Sequence, residues 1–431
     1  MTRTVYIVSA ARTPIGKFGG MLAEFTAPDL GVIAVRAALA RAYGGALPEE
    51  LKPGIGHDST QGLSKQTLKP GTEETTPWRV DEVIIGNARP AGVGPNPARQ
   101  VAWRSGLGDD VPAFTVNMAC ASGLRAVILG WQQILLRQAE IIVAGGTESM
   151  SRVPYLVEGR WGFKMGNQPL VDAMYRDGFN CPLSKLVMGE TAEILAEQYK
   201  ISREEQDAFA LESQRRAARA QSECRFQAEI VPIEKVDKKG NSTRVEKDEH
   251  VRADATLESL AKLASVFSKS GTITAGNSSG ITDAAAALVL ASEEKVRELN
   301  LKPLARIVDA TIAAVDPRVM GIGPVPAIRA LTARTGTKVQ DYAAVELNEA
   351  FAAQVIACDR DLHFDLERLN PNGGAIALGH PIGCTGARIL TTLIHELRST
   401  AQNPVRRDRM RGLATLCVSG GMGVAVEIEP V

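Results

Sequence analysis

The strongest constraint on this chain is the alternation of short, β-rich apolar runs with helical patterns along nearly its whole length. The runs at residues 5–8, 82–85, 113–116, 141–144, 286–290, 305–310, 343–347 and 413–418 are each four to six residues long. That is the length of a buried strand rather than of a buried helix. Between them Leu124, Val127, Ile128, Trp131 and Leu135 recur at i, i+3, i+4, i+7 and i+11, one apolar helical face. Strands and helices that alternate in this way bury their apolar sides as α/β layers. At 431 residues the chain is too long for one ordinary core. Domains of roughly 100–200 residues predict two or three cores, or one core with a large insertion.

Two stretches break the alternation. Residues 150–281 are richer in charge and carry a long amphipathic helix opened by Ser202-Arg-Glu-Glu205, a capping box. A polar, flexible excursion is expected at 235–249. We read 150–281 as an insertion on the α/β core, with 1–149 before it, 282–303 as the return segment, and 304–431 as a second core half. Residues 51–77, rich in Gly, Pro, Ser, Thr and Lys, read as an atypical surface insertion. The halves also echo each other. Residues 114–125 around Cys120 have a counterpart in 370–388, and 141–147 resemble 414–423, as an internal duplication would leave them.

Charge narrows the partners. Basic and acidic residues balance at 49 each, so no field draws in nucleic acid or an anionic membrane. No run is apolar enough to span a bilayer, and the amino-terminal apolar stretch is too short for a signal-peptide core. The six cysteines form no C-x-x-C pair and no zinc-type grouping with the five histidines. Free thiols in a reduced, cytoplasmic setting are therefore expected, with no metal site.

Four loops carry reactive or polar side chains, three of them beside glycine. Cys120 stands between an apolar strand and a helix, where first-turn N–H groups favour a thiolate; cysteine is also a common buried small hydrophobe. His380 is held in Gly379-His-Pro-Ile-Gly383, either as chemistry on a fixed loop or as a histidine satisfied in a turn. Cys417 ends a strand that enters Ser419-Gly-Gly-Met-Gly423, whose N–H groups can form an oxyanion hole or simply a turn. Asn348-Glu-Ala-Phe351 opens a helix. Asn348 either caps it, with Glu349 as a dipole partner, or orients a water or a histidine. Each loop lies at or just beyond the carboxyl end of an apolar run that could be a strand, the edge where α/β sheets bind ligands, so the four could converge.

Together these motifs resemble the thiolase family. Cys120-Ala-Ser-Gly123, Asn348-Glu-Ala-Phe351, the stretch from Gly379 to Arg388 and that from Cys417 to Gly423 all fit it. So do Ala10-Ala-Arg-Thr-Pro-Ile-Gly-Lys-Phe18, the Asn87–Arg99 stretch, and Ala144-Gly-Gly-Thr-Glu-Ser-Met150, in the family's order over nearly the whole chain. The resemblance implies a duplicated five-layer α/β/α/β/α fold with an inserted loop domain that holds coenzyme A. It implies an acyltransferase that thiolyses 3-ketoacyl-CoA, or condenses two acetyl-CoA, through a thioester on Cys120. By the same resemblance His380 deprotonates Cys120, Cys417 shuttles the proton of the α carbon, and Asn348 holds a water on the thioester oxygen. Backbone N–H groups at Cys120 and near Ser419 would bind the other oxyanion. The coenzyme A contacts fall on Met188, Arg252, Phe267 and Ser279, with Phe351 near the acyl end. No metal or redox cofactor is implied, acyl-CoA and coenzyme A are the small-molecule partners, and a homodimer or homotetramer is expected.

Three positions depart from the family pattern. Met118 stands where many members carry Gln or Arg, and Val187 replaces a histidine common in acetoacetyl-CoA-type members, which argues against strict acetyl specificity. Ser419 replaces a frequent glycine, and a positive φ there would strain the loop. Two rival readings use the same residues. A Cys–His–Asn hydrolase has no job for a second cysteine in a glycine turn. A non-catalytic thiolase-like acyl-CoA or lipid carrier commonly lacks the Asn-Glu-Ala-Phe pattern, which is intact here.

Overall fold

The structure is a computed structural model that describes residues 3–44, 79–236, 240–400 and 410–431. The amino-terminal half runs β1 (Val5–Arg12), β2 (Gly16–Lys17), α1 (Ala27–Tyr43), β3 (Glu82–Gly86), α2 (Pro97–Arg104), β4 (Ala113–Val116), α3 (Ser122–Leu135) and β5 (Ile141–Ser149). Then come β6 (Tyr155–Leu156), β7 (Val171–Asp172), α4 (Met188–Gln198), α5 (Arg203–Ser222), β8 (Ile233–Val236), β9 (Ser242–Val245) and α6 (Leu257–Ala261). The chain returns through β10 (Thr282–Ser292) and α7 (Glu293–Glu298). It finishes with β11 (Ala305–Ala314), α8 (Pro324–Thr335), β12 (Ala344–Leu347), α9 (Ala352–Leu362), α10 (Ala375–Leu378), α11 (Ile382–Thr400), β13 (Gly412–Val418) and β14 (Met422–Pro430).

The large sheet has the order β12-β13-β14-β11-β1-β10-β5-β3-β4, with β2 beside β10. It is two similar half-sheets, β4-β3-β5-β10-β1 and β12-β13-β14-β11, joined where Tyr6 and Ile7 pair with Arg306 and Ala305. In both halves the strand that follows the second helix crossing pairs in parallel with its neighbour (β3 with β5, β12 with β13), and the remaining shared pairings are antiparallel. Helices α3 and α11 lie against each other between the halves, α3 on β3 and β5, α11 on β5, β10, β12 and β13. Helices α1 and α2 cover the far face of the first half, α8 and α9 that of the second. These are the five layers of the thiolase-like α/β fold.

Because both faces of each half-sheet are covered, its strands need apolar residues on both sides. Strand β10 shows this: Leu288 and Leu290 enter the central core with Leu124, Val127, Leu390 and Leu393, while Val289 and Ala291 enter the outer core with Leu30 and Val35. Among the described residues, the segment from 150 to 281 contributes no strand to the large sheet. Its α5 begins at the expected capping box: Ser202 accepts from Glu205 N, and the Glu205 carboxylate accepts from Ser202 N at 2.8 Å.

Several expectations are revised. Strand β14 was not anticipated, although Val424, Val426 and Ile428 alternate into the central core. Most of the described residues of the excursion at 235–249 are held by strand pairing or hydrogen bonds. Strands β8 and β9 pair as a hairpin, after which Asp248 is buried on the Arg12 guanidinium at 2.7 and 2.9 Å. Glu249 then accepts the N–H groups of Lys17 and Met21. The insertion at 51–77 lies outside the described residues.

Candidate active site

The site exists because α3 and α11 cross closer than side chains would allow. A Cβ on Gly123 would meet Ala387 N and Gly383 O at 2.9 Å, and one on Gly386 would meet Leu124 Cβ at 2.6 Å. Real Cβ atoms do not approach that closely, so the helix starts pack backbone to backbone. The turn that carries Cys120, Ala119–Ala121, thereby rests on α11 and on β13.

Cys120 lies in that tight 3₁₀ turn, just before α3. Ala119 is left-handed at φ 46°, held by Asn117 Oδ1 on its N–H at 3.0 Å and by the Ser122 hydroxyl on its carbonyl at 2.7 Å. Strain of this kind in a non-glycine residue of order 1–3 kcal/mol persists only where surroundings fix it. The thiol is half-buried, and the backbone N–H groups of Ser419 and of Cys120 itself point at the sulfur. Burial pushes the Cys120 thiol up; the Ser419 N–H and the Arg89 guanidinium pull it back only in part. The expected preference for thiolate at a helix start is therefore reversed in the free protein, because desolvation outweighs the first-turn N–H groups. Cys417, buried at the end of β13, is raised well above the ordinary thiol value, by burial first and then by Cys120. The two sulfurs are electrostatic neighbours.

His380 is buried with its Nδ1 2.6 Å from the Thr385 hydroxyl, and that hydroxyl donates to Pro381 O at 3.0 Å. Thr385 Oγ1 has one proton, so Nδ1–H donates to it and Nε2 is left as a bare acceptor. Nε2 is buried without a partner. Burial, with help from Arg388 and Arg89, holds the imidazole neutral, its pKa lowered to about 3. The turn is fixed by the His380 N–H on Gly280 O at 2.9 Å and by Gly379 at φ 102°.

Asn348 caps nothing. Helix α9 starts only at Ala352, and both amide atoms of the fully buried Asn348 side chain lack partners. Its backbone N–H donates to Thr415 O on β13, two residues before Cys417. Glu349 is not a dipole partner either; its buried carboxylate accepts from Ser213 (2.7 Å), Asn370 (2.8 Å) and Ile376 N (3.1 Å) and so clamps the turn. The Asn348 amide and His380 Nε2 are thus two buried polar groups without a protein partner, each able to bond a ligand or a water. At Ser419 no strain arises: the left-handed residues of that turn are Gly420 (φ 90°) and Gly421 (φ 83°).

The segment 277–281 knits these turns together. Ala352 N donates to Asn277 O, Ser279 N to Ala350 O, and His380 N to Gly280 O. This places Ser279 between the Asn348 and His380 turns. Met188, Phe267 and Phe351 share one apolar cluster with Cys417, and the Phe267 and Phe351 rings meet edge to face at 6.3 Å. Arg252 is exposed, its N–H on Gln214 Oε1 at 2.8 Å. Three participants were not singled out from sequence. Thr385, Glu148 and Arg89 all lie within or beside the quoted motifs, but nothing in their residue types announces a role.

Residues 5–69 and 57–294 match the thiolase N-terminal domain, and residues 301–430 the thiolase C-terminal domain. The chain is 46% identical over 426 residues to an acetyl-CoA acetyltransferase of Cupriavidus necator, covering 99% of each. It is 44% identical to a probable acetyl-CoA acyltransferase of Staphylococcus aureus, covering 100% of this chain and 99% of that one. Among solved structures, human mitochondrial 3-ketoacyl-CoA thiolase superposes with a TM-score of 0.87 at 41% identity, covering all of both chains. The Bacillus anthracis acetyl-CoA acetyltransferase does so with 0.87 at 40%, covering 100% and 99%. With both domains matched in order along nearly all of its length, the chain belongs to the thiolase family.

Proposed function

We propose that this acyltransferase carries the acyl group as a thioester on Cys120 and uses His380, Cys417 and Asn348 as its catalytic partners. Two observations support the reading: the Cys120 and Cys417 sulfurs are electrostatic neighbours, and two buried groups on the adjoining turns, His380 Nε2 and the Asn348 amide, have no protein partner. In the thiolytic direction the Cys120 sulfur attacks the ketone carbon of a 3-ketoacyl-CoA as His380 Nε2 takes its proton. The bond between the α carbon and that ketone carbon breaks, and its electron pair becomes the enolate of acetyl-CoA. Cys417 S–H protonates the α carbon. Cys417 regains its proton from the coenzyme A thiol as that sulfur attacks the thioester, and Cys120 leaves as the thiol with the proton returned by His380. Read backwards, the same steps condense two acetyl-CoA.

Each group suits its step. A neutral imidazole with a bare Nε2 is a proton acceptor, and a thiol held protonated by burial is a proton donor. The enolate oxygen needs fixed donors, which Asn348 supplies through a water; one such donor contributes about 3 kcal/mol to barrier lowering. The N–H groups of Cys120 and Ser419 face the other oxyanion. Splitting the reaction at a thioester gives ping-pong kinetics and calls for no metal or redox cofactor. Met188, Arg252, Phe267, Ser279 and Phe351 are assigned to coenzyme A and the acyl end, with Phe267 and Phe351 as the apolar wall. We place the enzyme in the cytoplasm as a homo-oligomer. The deciding assay is thiolysis of acetoacetyl-CoA and of a longer 3-ketoacyl-CoA by wild type and Cys120→Ser. Cleavage of neither substrate by wild type removes the reading, and full activity in Cys120→Ser removes the nucleophile.

A further inference from the structure

The mechanism leaves several buried carboxyl groups unused, and one of them borders the site. Glu148, at the end of β5, is fully buried, and its carboxylate accepts four hydrogen bonds. Oε1 takes the Asn87 amide at 2.8 Å and the Arg89 N–H at 3.2 Å. Oε2 takes the Ala88 N–H at 3.0 Å and the Gly383 N–H at 2.8 Å. The donors come from two places distant in sequence: the turn after β3, and the first turn of α11, three residues after His380. All four partners are donors, which an ionised carboxylate matches and a carboxamide does not. The fit at Gly383 is tight enough to forbid a side chain, since a Cβ there would lie 2.8 Å from both Ala88 N and Glu148 Oε2.

We propose that Glu148 is a positioning residue that fastens the His380 turn of one half to the floor beneath Cys120 in the other. The proposal rests on the catalytic assignment above. Arg89, buried beside it with Nη1 on Ala88 O at 3.1 Å, balances its charge, and both groups act on Cys120. The charged and titratable groups that bear on the Cys120 sulfur are Arg89, Glu148 and Cys417, together with His380, the assigned base, which burial holds neutral.

The two roles of Glu148, reach and charge, are separated by two variants. Glu148→Gln keeps the length, removes the charge and places an amide N–H against donors. Glu148→Asp keeps the charge and withdraws the oxygens. Steady-state thiolysis of acetoacetyl-CoA and the pH dependence of Cys120 alkylation by iodoacetamide are measured on both. Both variants are expected to lose about 10- to 100-fold in kcat, with KM changed little, because His380 is displaced rather than the coenzyme A contacts. In Glu148→Gln the alkylation profile moves to lower pH, since a negative charge beside the thiol is gone; in Glu148→Asp it stays near wild type. Easier thiol ionisation with slower turnover is not what general loosening gives. Retention of wild-type kcat by Glu148→Asp, or an alkylation profile of Glu148→Gln unmoved or shifted to higher pH, overturns the proposal. If Glu148→Gln does not fold, Glu148→Asp decides alone. Failure of wild type to thiolyse any 3-ketoacyl-CoA counts against the catalytic assignment instead, and leaves the alkylation arm readable.

Discussion

Replacing Asn348 by leucine tests whether the site stores stability that it gives up for function. The leucine side chain branches at the same carbon as asparagine and has the same number of heavy atoms, so no cavity opens. The two amide atoms of Asn348 are fully buried and have no protein partner. An unsatisfied buried polar group costs about 1–3 kcal/mol, and the lower end applies at a site that water reaches. Removing two such atoms gives about 2 kcal/mol of stabilisation. An unfolding entropy of roughly 2.1 cal/mol/K per residue over 431 residues makes each kcal/mol worth about 1 °C. The melting temperature of Asn348→Leu should therefore rise by about 2 °C. Turnover should move the other way: losing one donor to the developing oxyanion, about 3 kcal/mol, lowers kcat about 100-fold. Calorimetry and acetoacetyl-CoA thiolysis read the two effects on one sample. A variant that melts several degrees lower refutes the claim that the amide is kept unpaired. One that keeps kcat within about threefold refutes its role in catalysis.

Other outcomes follow from the same geometry. Incubation with acetyl-CoA or acetoacetyl-CoA should leave an acyl adduct on wild type by intact-mass analysis and none on Cys120→Ser, while Cys417→Ser should still acylate yet fail to exchange the α proton. His380 is neutral in the fold down to a pKa of about 3 but titrates near 6.5 when unfolded, so the unfolded chain binds the extra proton between these values. Stability is unaffected by this group above pH 6.5 and falls by up to about 1.4 kcal/mol per pH unit below it. The acid slope of melting temperature should be shallower in His380→Asn. Glu346 has the opposite sign. Its carboxyl, paired with Arg388 at 3.4 Å, is pushed up to about 8 by burial, so stability is lost as pH rises from about 4.5 to 8. Glu346→Gln should flatten the melting temperature across that window. Gly123→Ala gains about 1 kcal/mol of helix propensity but forces the α3–α11 crossing apart, which costs about 1–3 kcal/mol, so it should melt no higher and turn over more slowly.

Much of this was legible in the sequence, for identifiable reasons. The buried strands announce themselves because strands covered on both faces must be continuously apolar, as at 286–290. Strand β14 was missed because Gly421, Gly423 and the closing Glu427 and Glu429 interrupt its apolar pattern; Glu427 is buried on Tyr342, Thr335 and Thr337, a pairing no local pattern shows. Three of the four loops were visible as cysteine or histidine set beside glycine, and the fourth as Asn348-Glu-Ala-Phe351 after an apolar run. What could not be read was their environment. The Cys120 thiol was expected to ionise at a helix start, and only the packing shows desolvation winning. Asn348 could equally have been a helix cap, and only the start of α9 at Ala352 decides otherwise. Glu148 and Thr385 were present in the quoted motifs but looked like strand and helix residues, because their partners lie far away in the sequence or in a turn of unknown geometry.

The strand register explains why a duplicated fold has one site. Gly86 pairs with Gly146 at the end of β3, and Leu347 pairs with Thr415 at the end of β12. One residue past each of these strands stands an asparagine, Asn87 and Asn348. Two residues past each partner stand Glu148 and Cys417. The same four positions therefore met opposite fates. In the first half the Asn87 amide donates to Glu148 and to Thr147 O, and Glu148 goes on to hold the start of α11. In the second half Cys417 offers Asn348 no such partner, and the amide is left bare. A carboxylate at position 417 would capture the Asn348 amide, as Glu148 captures Asn87, and would put a negative charge where an enolate must form. A thiol does neither: it is small, weakly hydrogen-bonding and kept protonated by burial. Cys417→Glu should thus melt at or above the wild-type temperature through a new Asn348 bond and show no thiolysis. Cys417→Ser, which keeps the site open, should retain the first acyl transfer. If Cys417→Glu is instead unstable while Asn348→Leu is stable, the two halves do not share this logic.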